Sequence, residues 1–75
     1  MTPRSKDANI RNNVRELRGH AGLTQEELAQ RVGVTRVTIN CLERSVYMPS
    51  LELAMKLARF FRRSVEEIFI MEGHS

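Results

Sequence analysis

The 75-residue chain has no tryptophan and a single cysteine, Cys41, so no internal disulfide can form. His20 and His74 stand far apart without cysteine or carboxylate spacing, and no metal site is expected. The longest uninterrupted apolar run is Ile68 to Met71, far short of the roughly 18 residues of a membrane span. No apolar segment follows the basic N-terminus as a signal peptide requires, so a cytoplasmic location is expected. There is no phosphate-binding glycine loop, and no nucleophile, base and orienting group assemble into a catalytic set. An enzyme is not expected, nor is a cofactor or a small-molecule ligand.

What is present is charge, unevenly placed. Twelve Lys or Arg against nine Asp or Glu make a formal charge of +3. Residues 1–20 hold five bases (Arg4, Lys6, Arg11, Arg15, Arg18) and two acids (Asp7, Glu16), and the remainder balances to zero. A basic end on a small domain points to a polyanionic partner. A chain this short hides only about 60% of its unfolded surface, and association is one usual supplement to so thin a core.

Residues 1–8 lack apolar periodicity and read as a flexible tail, followed by one domain over residues 9–70 and a second short tail, 71–75. Ile10, Val14, Leu17 and Ala21 recur at helical spacing, placing Arg11, Asn12 and Arg15 outside a first helix that Gly22 ends. Thr24 and Glu27 form a capping box, with Leu23 placed to staple onto Leu28. The second helix turns Leu28, Ala29 and Val32 inward and stops at Gly33. Thr35 caps a third, from about Arg36 to Arg44. Ser50 caps a fourth whose inner face is read as Leu51, Ala54, Leu57, Ala58 and Phe61, and Ser64 with Glu67 repeats the capping box before a short fifth reaching Ile68 or Phe69. With five short helices and no convincing internal strand, the fold class is all-α.

The third helix carries the functional signal. With Ile39 and Leu42 as its inner pair, 100° per residue puts Val37 and Arg44 nearly opposite the core and Asn40 and Cys41 about 130° away. An outward stripe of Val, Asn, Cys and Arg, with Arg36 and Thr38 at the helix start, mixes hydrogen-bonding and small apolar groups. That mixture suits base edges and thymine methyls in a major groove.

Three runs agree in order and spacing: Gly22 to Ala29; Val34, Thr35 and Arg36 with Thr38, Ile39 and Leu42 to Arg44; and Tyr47 to Ala54. Together with Ser64 to Phe69 they resemble the helix-turn-helix of the phage repressor and Cro type, the Xre family, over roughly residues 9–70. The resemblance implies a five-helix repressor-like domain that binds double-stranded DNA, as a homodimeric repressor at a near-palindromic operator. Base reading would fall to Arg36, Val37, Thr38, Asn40 and Cys41. Phosphates would be met by Gln25, Thr35, Arg44, Ser45 and Tyr47, and matching positions place a structural ion pair between Arg18 and Glu43. Ser45 and Arg62 stand where the family commonly has glycine, or glycine or asparagine, respectively. Short members pair through the last helix or a short C-terminal strand, so Ile68, Phe69, Ile70 and Met71 are the expected dimer interface. A DNA-binding antitoxin, or a protein-interaction module on the same fold, stands as the alternative.

Overall fold

The computed structural model describes residues 10–72. In chain order it runs β1 (Ile10–Asn12), α1 (Val14–His20), α2 (Gln25–Val32), α3 (Arg36–Glu43), α4 (Leu51–Phe61), α5 (Val65–Ile68) and β2 (Phe69–Met71). Four of the helices begin on a hydroxyl. Thr24, Thr35, Ser50 and Ser64 each accept the backbone N–H three residues on, satisfying one of the donors a helix start leaves free. Thr24 with Glu27 and Ser64 with Glu67 close full capping boxes. At the other end of α2, Gly33 takes the left-handed conformation at φ 76°, and Val34 returns its N–H to the Ala29 carbonyl.

The first segment departs from the all-helical expectation. Ile10 is not the start of a helix: residues 10–12 are extended and pair antiparallel with β2, Ile10 opposite Met71 and Asn12 opposite Phe69. The asparagines make the break. Asn12 Oδ1 accepts the Val14 N–H, while its Nδ2 donates to the Leu42 carbonyl at the end of α3. Asn13 donates its backbone N–H to the Ile68 carbonyl and its side-chain amide to the Glu67 carbonyl. Such side chains offer the backbone an alternative to helix, so α1 begins only at Val14. Asn12, expected on the outside, is half-buried. β2 also takes in Met71, which the expected domain end at residue 70 left out.

Val14, Leu28, Ala29, Val32, Ile39, Leu42, Leu57 and Ile68 meet in one core, with Leu53 and Ala58 beside them. Ala29, with no side chain beyond Cβ, is buried in this core on α2. On α4 the buried arc is Leu53, Ala54, Leu57 and Ala58, with Phe61 half-buried. Leu51, expected on that arc, is 73% exposed instead. It lies about 90° from the arc's centre on the first turn of the helix, where no other described element covers it.

Two non-glycine residues adopt left-handed backbone, Ser45 at φ 61° after α3 and Arg62 at φ 57° after α4. Each ends a helix at a position where a Cβ crowds the following carbonyl. Ser45→Gly and Arg62→Gly are therefore expected to stabilise the fold by up to about 1 kcal/mol each, raising Tm by about 4 °C for a domain of this size. Thermal melts of the single variants check this, and a lowered Tm at both sites would contradict it.

Candidate nucleic-acid interface

α2 and α3, joined by the Gly33 turn, form a two-helix unit whose second helix lies across the surface with its outer side open. Ile39 and Leu42 anchor α3 in the core with no exposure. Opposite them Val37 is 62% exposed, and Arg36 and Arg44 are exposed as well. Thr38, Asn40 and Cys41 are half-buried along the flanks. The candidate base-reading residues thus divide into a projecting pair, Arg36 and Val37, and three neighbours closer to the body.

Thr35 and Thr38 are tied to each other. Thr35 Oγ1 accepts the Thr38 N–H at 3.2 Å, and the two hydroxyls lie 3.1 Å apart. Arg44 caps the end of α3, donating its N–H to the Asn40 carbonyl, and Ser45 makes the left-handed turn beyond it. Tyr47 is 41% exposed in the loop leading to α4. Thr35, Arg44, Ser45 and Tyr47 therefore bracket α3 from its two ends.

The expected pair of Arg18 and Glu43 closes as a fork. Arg18 Nε donates to Glu43 Oε2 at 2.7 Å and a terminal nitrogen donates to Oε1 at 3.2 Å. The other terminal nitrogen donates to the Leu23 carbonyl at 2.8 Å. The Glu43 side chain is only 3% exposed and that of Arg18 17%, so the pair is largely withdrawn from water. The hydrogen bond that Arg18 donates to Glu43 holds the guanidinium charged more firmly than usual, working against its partial burial, and the nearby negative charge adds to the effect.

Gln25 enters this network, which the sequence did not disclose. Its Nε2 donates to Glu43 Oε1 at 3.0 Å, and its Oε1 accepts from Asn40 Nδ2 at 3.5 Å. A residue read from its position as a phosphate contact is thus also a bridge, running from the ion pair to the flank of α3. Its partners are 18 and 15 residues away, and no local pattern signals such contacts.

Within one chain, the C-terminal apolar cluster is only partly free to meet a second copy. Ile68 is fully buried within its own chain and has no surface to offer a second copy. Phe69 packs against the core and Ile70 is half-buried, both in a strand that pairs with β1, leaving Met71 as the exposed member. Three of the four residues are engaged because the chain turns from helix to strand at Phe69, so successive side chains no longer share one crowded helical turn.

A core-anchored second helix with an open outer face, set on a short first helix by a glycine turn, defines a helix-turn-helix protein. Comparison with known proteins agrees: the helix-turn-helix family HTH_3 matches residues 14–68, and the chain belongs to that family, of Xre type. It is 55% identical over 64 residues to an uncharacterized HTH-type transcriptional regulator of Methanothermobacter thermautotrophicus, spanning 84% of this chain and 93% of that one. A protein of the same description from Archaeoglobus fulgidus is 51% identical over 63 residues, 84% of this chain and 90% of that one. Among solved structures, the P22 c2 repressor in complex with a synthetic operator superposes with a TM-score of 0.69 at 30% identity, covering 72% of this chain and 82% of that chain.

Removing one member of the ion pair strands the other. Glu43→Ala is expected to destabilise by about 3 kcal/mol. Arg18→Ala should cost at least as much, because the carboxylate it abandons is the more deeply buried. The double variant should lose less than the sum. Denaturant titration of the three proteins measures this, and additive or negligible losses would refute it.

Proposed function

We propose that this protein is a sequence-specific double-stranded DNA-binding regulator, acting as a homodimeric repressor at a near-palindromic operator. The observation that carries the reading is α3 itself: Arg36 and Val37 project from its first turn while its inner side is locked by Ile39, Leu42 and the Glu43 ion pair. A rigidly held helix with a projecting arginine is the form in which a side chain can enter a major groove and bond guanine O6 and N7 together. The likeness to the P22 c2 repressor, solved on its operator, supports the same use here.

In this reading Arg36 and Val37 read bases, with Thr38, Asn40 and Cys41 beside them. Thr35, Arg44, Ser45 and Tyr47 hold the flanking phosphates, setting register without reading sequence. Gln25 meets a phosphate from the start of α2, while its side chain keeps Asn40 in place. A two-fold pair of such units would place two α3 helices in successive major grooves, about 34 Å apart.

Selection from randomised DNA followed by salt titration tests the proposal. The selected sites should contain two inverted half-sites with centres about 10 base pairs apart. Affinity should fall more than about tenfold between 50 and 200 mM salt. Arg36→Ala should weaken the selected site by about 1 to 3 kcal/mol and relax one base position, whereas Arg44→Ala should weaken all sequences alike and flatten the salt slope. Absence of binding even at low salt would overturn the DNA reading and favour the protein-interaction module.

A further inference from the structure

The surface least explained by the core or by DNA lies on α4. Leu51 is 73% and Met55 57% exposed, one turn apart on the same side of the helix. Met48, 59% exposed, lies just before the helix start. Glu52, Lys56 and Arg59 border these residues, and together with Leu51 and Met55 they line a shallow groove along the helix. No described element packs on it. Within the chain Glu52 pairs with Lys56 at 3.1 Å, and Arg59 has no ion-pair partner among the described residues.

We propose that this face of α4 is where a second copy of the chain docks, antiparallel, with the two-fold axis beside Met55. This rests on the homodimer reading and moves its seam away from the C-terminal cluster. The order of charges along the helix selects the occupant. Leu51 and Arg59 lie equally far from Met55 on either side, so reversal about that residue lays Leu51 of one copy on the aliphatic stem of Arg59 in the other. It also brings the Glu52 carboxylate to the opposing guanidinium, once at each end of the seam. The two Met55 side chains then meet at the axis, where a flexible thioether fills an irregular gap well, and Lys56 stays at the wet rim. An acidic residue in the first turn and a basic one in the last, separated by an apolar centre, is self-complementary only in the antiparallel sense. Antiparallel apposition also sets the two helix dipoles head to tail.

Charge exchange tests this directly, with self-association followed by sedimentation equilibrium on the full chain. Glu52→Arg opposes arginine to arginine twice in its homodimer, and Arg59→Glu opposes two glutamate pairs. Each single variant should dimerise at least about tenfold more weakly than the wild type. Mixed together, the two variants should form a heterodimer, since every opposed pair is then of unlike sign; recovery on mixing also shows that both are folded. Met55→Asp should dissociate the dimer, while Met71→Asp should not. A wild-type dimer that ignores the exchanges and Met55→Asp but dissociates with Met71→Asp would overturn the α4 seam and leave the homodimer standing. A wild-type chain that stays monomeric, both free and on paired half-sites, would overturn the homodimer itself.

Discussion

The orientation of α3 depends on one nearly dry ion pair. Arg18 on α1 reaches across to Glu43 at the end of α3 and, with its remaining nitrogen, to the carbonyl of Leu23 just before α2. One guanidinium thus ties three consecutive helical segments at fixed angles, something the planar, forked geometry of arginine permits and a lysine would not. Gln25 then carries the constraint from Glu43 to Asn40 on the outer half of α3. A helix of eight residues is held by apolar contacts along its inner side and by a polar chain along its flank. Base recognition demands that order, because a hydrogen bond to a base edge has discriminating value only if its donor arrives in one geometry.

The ends of the domain close on each other around the same unit. β1 and β2 pair, and Asn12 and Asn13 stitch that small sheet to the ends of α3 and α5. The pairing accompanies Phe69 packing against the core, with Ile70 half-buried and Met71 exposed, while the outer side of α4 exposes Leu51 and Met55. Among the described residues, α3 turns charged and small side chains outward and α4 a leucine and a methionine.

Ser45 and Arg62 show a local preference overridden. Both sit where left-handed backbone ends a helix, and neither has glycine's freedom. Ser45 is exposed, directly after Arg44 and two residues before Tyr47, among the residues expected to meet phosphates. A residue that strains the backbone by a small amount there is compatible with a site that uses the side chain. For Arg62 no comparable reason is visible in the structure.

Helix starts were legible along the chain because capping is settled within four residues: Thr24, Thr35, Ser50 and Ser64 each bond a neighbour three positions on. The inward faces of α2 and α3, the Gly33 turn and the outward Arg36 and Val37 followed from periodicity for the same reason. Long-range contacts were not legible. Ile10 matches a helical period as well as Leu17 does, and only its pairing with Met71, 61 residues away, makes it a strand. Gln25 could be placed at a helix start but not joined to Glu43, and Leu51 fits the apolar spacing of α4 yet is exposed because no other described element packs there. Local hydrogen bonds and periodicity decide where an element begins and which way it faces; which residues of a face are covered, and which polar groups meet, is decided only when distant segments pack.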